Sequence, residues 1–215
     1  MATRTLPMFP LGSVLFPHAA LPLHVFEPRY RALVEDCLAG EPDFGVVLIE
    51  RGSEVGGGET CFGVGTVTRI VEAGQFPDGR YALVTMGTAR LRVLEWLPDN
   101  PYPRARVEVL EERTADGDAG GVRGQVEAAL RHTLKLATEL GAPAAPPDVR
   151  LDDDPVRATF EACALAPIGS LDAQRLLEVD DPGVRLDQLL ALILETTELL
   201  ELQLGEPGTP PSEPE

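Results

Sequence analysis

Lysine is almost missing from this chain: Lys135 is the only one among 215 residues. A phosphate-binding loop needs a lysine after Gly-x-x-x-x-Gly, because that side chain neutralises the phosphates that the backbone cradles. Lys135 has no such loop before it, and the apolar spacing around it places it on the polar face of a helix. An exposed lysine there stays charged and cannot act as a base. Residue type therefore excludes ATP hydrolysis and serine-lysine catalysis.

Positive charge as a whole is scarce. Lysine and arginine together number 18 against 35 acidic residues, so the formal net charge is -17. Proteins that bind nucleic acid need a basic surface that releases counterions from the phosphate backbone. We therefore expect no nucleic-acid partner.

Cysteines and long apolar runs are also few. Cys37, Cys61 and Cys163 form no C-x-x-C pair and are too scattered for a disulfide framework, so we expect three buried free thiols. No run of about 18 apolar residues could span a membrane. Pro7 and Pro10 interrupt any signal-peptide core. We expect a cytoplasmic protein without a membrane partner.

The first half, residues 1–115, reads as short strands with one inserted helix. Pro28 suits a first helical turn after a cap at Phe26 or Glu27, and Gly40 is placed to end the helix. We expect Phe26 and Tyr30 to pin this helix onto the sheet. Its predicted apolar face comprises Tyr30, Leu33, Val34, Cys37 and Leu38.

A turn at Pro77-Asp78-Gly79 predicts a hairpin, because proline fixes φ and glycine tolerates a positive φ. Residues 64–75 should pair with residues 80–87, and a separate third strand should follow around Leu91. Gly56-Gly57-Gly58 suggests a loose hairpin tip.

Four arginines alternate with apolar residues and predict a solvated strand face: Arg90, Arg92, Arg104 and Arg106. Cross-strand pairing with Glu95 and Glu108 is the simpler explanation. A weak anchor for acidic peptides is the alternative.

The second half, residues 122–204, has helical periodicity throughout, after a connector at 114–121. Asp154 and Asp181 each precede a proline and are predicted N-caps, and Ser170 is a third. The last helix is the most apolar, and the tail at 205–215 should be disordered. Its main stripe is predicted to be Leu186, Leu189, Leu190, Ile193, Leu200 and Leu204, with Leu192, Leu199 and Leu202 on the other side.

Several segments together resemble the amino-terminal, substrate-binding domain of Lon proteases. They are Leu6 to Leu11, Val14 to Pro17, Leu21 to Arg31, Phe44 to Ile49, Gly63 to Thr66, Asp78 to Tyr81, Gly87 to Val93, Gln174 to Glu178 and Arg185-Leu186. His18 departs from the pattern, because the family usually has glycine there. The resemblance implies an α+β fold: an antiparallel, PUA-like β pseudo-barrel with one inserted helix, followed by a four-helix bundle. It also suggests a free-standing copy that lacks the ATPase and peptidase domains.

Candidate chemistry is weak at every position. Ser13 lies near His18 and His24 in sequence but lacks the Gly-x-Ser-x-Gly elbow of serine hydrolases. Residues 152–154 are three aspartates that could hold a hard cation, although a loop ending in a helix cap explains them more simply. We expect no catalytic residue, no cofactor and no metal.

The resemblance implies a protein-binding module whose partners are unfolded or extended polypeptides and, in addition, an ATP-dependent protease. Phe76, Trp96 and Tyr102 are the predicted peptide contacts, because large aromatic residues near turns often anchor interfaces. Two alternatives remain open: an adaptor that docks on an ATPase or protease through its last helix, and a hydrolase with an unrecognised nucleophile.

Overall fold

The computed structural model describes residues 2–52, 60–113 and 119–205, with the side chains of 3–52, 60–113 and 121–205. It contains six strands: β1 (Ala2–Leu11), β2 (Ala20–Val25), β3 (Asp43–Arg51), β4 (Thr60–Gln75), β5 (Tyr81–Leu97) and β6 (Arg104–Val109). Five helices complete it: α1 (Pro28–Ala39), α2 (Ala119–Glu139), α3 (Pro155–Leu165), α4 (Ser170–Glu178) and α5 (Pro182–Gly205).

Five of the strands close into a ring. The order β5-β4-β3-β1-β6 returns to β5 through an additional β5–β6 pairing, and β2 is attached to β5 outside the ring. The pairing of β1 with β3 is parallel, so the sheet is mixed where we expected it to be antiparallel. Apolar side chains from all five ring strands fill the interior: Leu6, Met8, Val47, Val67, Leu91, Ala105 and Val107.

The hairpin of β4 and β5 is confirmed. Gln75 pairs with Tyr81, and Gly79 has a φ of +82°, as the turn requires. However, no separate third strand follows. β5 continues to Leu97, and it can pair first with β4 and then with β6 because register shifts bend it.

Helix α1 begins after Glu27 and ends at Gly40, as predicted. Tyr30, Leu33 and Val34 are buried against the sheet, and the Cys37 thiol donates to the Asp43 carbonyl oxygen. Two predicted core residues lie outside: Leu38 is half exposed, and Phe26 is 56% exposed because it precedes the helix on the open side of β2.

Helices α2 to α5 share one core, which also receives Phe16 from the barrel. Asp154 and Asp181 cap α3 and α5 as predicted, since their carboxylates accept from backbone N–H groups. Ser170 is not a cap: α4 begins after Gly169, and the Ser170 hydroxyl donates to the carbonyl of Gly12.

Helix α5 presents only part of its predicted stripe to that core. Leu186, Leu189 and Ile193 are buried, whereas Leu204 is exposed. Leu194, Leu199 and Leu202 are also exposed, so the end of α5 has an uncovered apolar surface.

Barrel and helices meet at a junction built on two buried arginines. Arg90 is 1% exposed and donates to the carbonyls of Leu177 and Val179 and to the carboxylates of Asp180 and Glu112. The prediction that Arg90 lies on a solvated face is therefore wrong. Arg92 does lie on that face, 3.6 Å from Glu108.

The second arginine of the junction is Arg185. It donates to the carbonyls of Leu176 and Val179 and to the hydroxyl of Thr159. Its guanidinium also stacks 4.0 Å from the centre of the Phe160 ring. Arg90, Arg185 and these partners together form the junction.

Three predictions fall outside the described residues: the glycine tip at 56–58, most of the connector at 114–121, and the tail beyond Gly205. Within the described residues, no helix combines the length and apolarity that crossing a membrane demands.

Candidate functional site

Strand β2 has one unpaired side. In the described part of the chain it pairs only with β5, and its other side borders a cavity of about 220 Å³. Phe9 and Leu11 of β1, Tyr30 of α1 and residues 22–27 line this cavity, which we call the edge groove. The groove thus combines an apolar floor with a strand edge.

The backbone of β2 has a defined orientation at this edge. The Thr85 hydroxyl donates to the Leu21 carbonyl at 2.8 Å, so that carbonyl faces β5. Backbone groups alternate sides along an antiparallel strand, and those of Pro22 and His24 therefore face away from β5. Pro22 has no N–H to leave unpaired, which is why proline is tolerated at sheet edges. Along the groove, the edge therefore offers the carbonyls of Pro22 and His24 and the N–H of His24.

Exposed apolar side chains surround the groove and the nearby hairpin tip. Phe26 lines the groove, and Phe76, which is 40% exposed, lies with its ring centre 6.0 Å from that of His24. Arg80 covers part of the Phe76 ring at 5.6 Å. Val84, opposite Pro22 on β5, is also exposed. We call Phe26, Phe76 and Val84 the rim.

A second cavity lies where β1 and β5 end and β4 and β6 begin. It has a volume of about 340 Å³, and we call it the barrel mouth. The half-exposed Trp96 lines it, so this predicted contact is available at the surface. Its other principal lining residues are Pro10, Cys61, Leu97, Asp99 and Pro103.

Tyr102 is not available in the same way. It is buried in the core beside α1, where its hydroxyl donates to the Asp36 carboxylate at 2.6 Å. Burial, together with that carboxylate, raises the pKa of Tyr102 to about 12. The structure therefore assigns Tyr102 to the core, and it cannot contact a peptide without local unfolding.

The serine and histidines suggested as a catalytic pair are not brought together. Ser13 and His24 are exposed, and among the described residues no hydrogen bond joins Ser13 to a histidine. His18 adopts a φ of +66°, in the left-handed region that glycine enters without strain. Its imidazole lines a small cavity with Asp152, Arg157 and Glu161, and burial lowers its pKa.

Two of the three aspartates at 152–154 are engaged by local hydrogen bonds, whereas the Asp153 carboxylate is 92% exposed. Asp154 caps α3, and Asp152 accepts from the backbone N–H of Asp154 and lies 3.6 Å from Arg157. No cluster of three or more metal-ligating side chains occurs in the part of the chain that the structure describes.

The thiols differ in accessibility. Cys37 and Cys163 are buried, and burial raises the pKa of each to about 12. Cys61 is half buried at the barrel mouth, which corrects the prediction of three buried thiols.

Sequence reasoning expected an open strand edge or an apolar groove but did not locate it, and it placed Phe26 in the core. Pro22 was the available signal, because a proline within a strand indicates a sheet edge. No local signal marks Phe26, whose exposure depends on where β2 lies relative to the rest of the sheet.

The chain matches the model of a known family over residues 5–195: the ATP-dependent protease La (LON) substrate-binding domain. It is 33% identical to the Lon protease of Anaeromyxobacter dehalogenans over 201 residues, covering 92% of this chain and 24% of that protein. Lon protease 2 of Myxococcus xanthus is 32% identical over 205 residues, covering 93% and 24%. The chain thus spans about a quarter of the length of these relatives.

Two solved structures share the fold. The Lon N-terminal domain protein from Xanthomonas campestris superposes with a TM-score of 0.64 at 31% identity, covering 87% of this chain and 98% of that one. The N-terminal domain of Mycobacterium avium complex Lon protease gives 0.66 at 18% identity, covering 89% and 99%, which is a likeness of fold. On the match over residues 5–195, this chain belongs to the LON substrate-binding domain family.

Proposed function

We propose that this chain binds polypeptide segments in an extended, non-native conformation and carries out no reaction on them. The edge groove carries the proposal, because an unpaired strand side there borders an apolar cavity. An extended peptide can add to such an edge through its backbone while its side chains enter the cavity. Membership of a substrate-binding family supports the same role.

The proposed contacts extend beyond the groove. Phe26 and Phe76 form the apolar rim that a bound segment would cross, and Trp96 provides a further aromatic contact at the barrel mouth. Tyr102 is excluded from this set by its burial. Exposed aromatic side chains suit such a role because they offer a large contact area with little loss of side-chain entropy.

Fluorescence anisotropy of a reduced, alkylated model protein against its native form tests the proposal. We expect a dissociation constant on the micromolar scale for the unfolded form, since ordering a flexible chain offsets much of the contact energy. Phe26→Ser should weaken binding about tenfold, as loss of an interface anchor does. Leu171→Ser is the matched control, because Leu171 is 60% exposed but lies on α4. Equal affinity for native and unfolded forms would reject the proposal.

Charge should affect the kinetics. The net charge of -17 attracts lysine- and arginine-rich segments, so these should associate faster, and added salt should slow them. An association rate independent of salt would show that the acidic surface takes no part.

The uncovered end of α5 favours a second candidate, an adaptor that docks on a separate ATP-dependent protease. Leu194, Leu199 and Leu202 form the candidate contact. In a pull-down with a purified protease, a Leu199→Ser, Leu202→Ser double variant should lose binding while Leu171→Ser retains it. Retention by both variants would remove this candidate.

A further inference from the structure

The barrel mouth has a chemical character that the edge groove lacks. Its walls are mainly apolar, with Pro10, Leu97 and Pro103 around the indole of Trp96. Among the described residues that line it, Asp99 is the one that carries a charge. An exposed aromatic face beside a carboxylate is the combination that binds a cation, because both the ring quadrupole and the negative charge attract it.

The two arginines of β6 already have partners. Arg104 directs its guanidinium to the Pro98 carbonyl at 3.5 Å, and Arg106 forms an ion pair with Glu95 at 3.2 Å. Within the described residues, Asp99 has no ion pair of its own. Its carboxylate is thus available to a cation from another molecule.

We propose that the barrel mouth binds an arginine or lysine side chain of the polypeptide, an inference that rests on the proposed function. The aliphatic stem lies against the prolines and Leu97, while the cationic group meets Trp96 and Asp99. Arginine is preferred, because its planar guanidinium stacks on an indole and is less strongly hydrated than an ammonium group. The overall charge of -17 adds to this attraction.

Two labelled, unstructured peptides that differ at one position, arginine or its neutral analogue citrulline, test the proposal by fluorescence anisotropy. The arginine peptide should bind about fivefold to tenfold more tightly, the range expected for one exposed cation–π contact plus one exposed ion pair. Asp99→Asn should remove most of this preference, and Trp96→Leu should reduce it.

Asp148→Asn is the matched control. It makes the same change in net charge at an exposed position on the helical side of the molecule. The arginine preference should survive in Asp148→Asn. If both aspartate variants lose it equally, the preference comes from overall charge, and the site at the mouth is refuted.

Cys61 supplies an independent readout of occupancy. In the folded protein a thiol reagent should modify Cys61 first, because Cys37 and Cys163 are buried and resist ionisation. The arginine peptide should slow this modification, and in Asp99→Asn the protection should be lost. Unchanged modification at a saturating peptide concentration would overturn the proposal.

These outcomes separate the two claims. Binding of unfolded protein without any preference for arginine over citrulline refutes the cation site and leaves the proposed function intact. Absence of binding to unfolded protein at about 100 µM refutes the proposed function itself.

Discussion

The junction and the rim differ in both the burial and the polarity of their side chains. At the junction, Arg90 and Arg185 are buried charges whose nitrogens meet carbonyls, a hydroxyl and carboxylates. At the rim, Phe26 and Phe76 are apolar and exposed. A buried charge tolerates only the arrangement that pairs it, so it fixes how the barrel meets the helices. An exposed apolar side chain accepts many partners, which suits a surface that binds varied segments.

Breaking the junction should have the largest effect on stability. Arg90→Met removes donors from several buried acceptors, and loss of one partner from a buried charge network costs about 3–5 kcal/mol. Urea unfolding should show this decrease in the free energy of unfolding. Arg92→Met, two residues along the same strand but half exposed, should cost less than about 1 kcal/mol. Similar costs for both would mean that the junction contributes no special stability.

Phe26 and Tyr30, four residues apart around the start of α1, allow the same contrast between an exposed and a buried side chain to be tested within one segment. Tyr30→Ala should cost roughly 3 kcal/mol or more, because Tyr30 is buried and its ring stacks on Phe9 at 4.2 Å. Phe26→Ala should change stability by about 0.5 kcal/mol at most, as exposed positions do. Thermal unfolding of both variants gives the comparison. A large cost at Phe26 would place it in the core and remove it from the rim.

Asp43 tests whether a buried carboxylate whose arginine partners are partly exposed behaves like the charges at the junction. The hydrogen bonds from Arg69 lower the pKa of Asp43, and Arg4 donates a further hydrogen bond to its carboxylate at 3.2 Å. Asp43→Asn should cost about 1–2 kcal/mol near neutral pH, less than Arg90→Met because Arg69 is half exposed.

The stabilisation that Asp43 provides should depend on pH, and the sign of this dependence follows from its lowered pKa. The contribution of Asp43 is fully present above the unfolded pKa of about 3.9 and is lost as the pH falls through the lower folded value. Unfolding at a series of acidic pH values should therefore show the wild-type advantage shrinking below about pH 4. A constant difference would mean that the charge of Asp43 contributes nothing.

The smallest effect is expected at His18. His18→Gly relieves a left-handed residue but makes the unfolded chain more flexible, so the net gain should stay below about 1 kcal/mol. Because burial lowers the pKa of His18, the wild type loses stability as the pH falls below about 6.5. The advantage of the variant should therefore grow between about pH 7.5 and pH 5.5. A gain independent of pH would exclude the imidazole as its source.

Local features of the fold could be predicted from sequence, whereas contacts between distant segments could not. The hairpin at residues 77–79, the helix that begins after Glu27 and the caps at Asp154 and Asp181 depend on neighbouring residues, and they are confirmed. Arg90 and Arg92 have the same alternating pattern, yet the chain between α4 and α5 covers only Arg90. The burial of Arg90 cannot be predicted from its neighbours in sequence, because the residues that cover it are 87 and 89 positions away.

The same limit applies to the candidate site. Phe76 and Trp96 follow from the rule that large aromatic residues near turns often anchor interfaces, and both are exposed enough to do so. Tyr102 satisfies the same rule but is buried beside α1, where its hydroxyl donates a hydrogen bond to the Asp36 carboxylate. The edge groove depends on β2 having a single partner, which is a property of sheet order.

The closure of the ring has a consequence for the order in which the chain can fold during synthesis. Ala2 of β1 pairs with Val109 of β6, so one edge of β1 waits for its partner until residues 104–109 have left the ribosome, although the partner of its other edge, β3, emerges much earlier. At about 5–20 residues per second this interval lasts several seconds, during which Met8 lacks the Pro103 carbonyl and its core neighbours from β5 and β6. The carbonyls that hold Arg90 come from residues 177 and 179 and emerge later still. A nascent chain of this protein therefore passes through a stage in which β1 itself has an unpaired edge, the kind of backbone that the proposed site would bind.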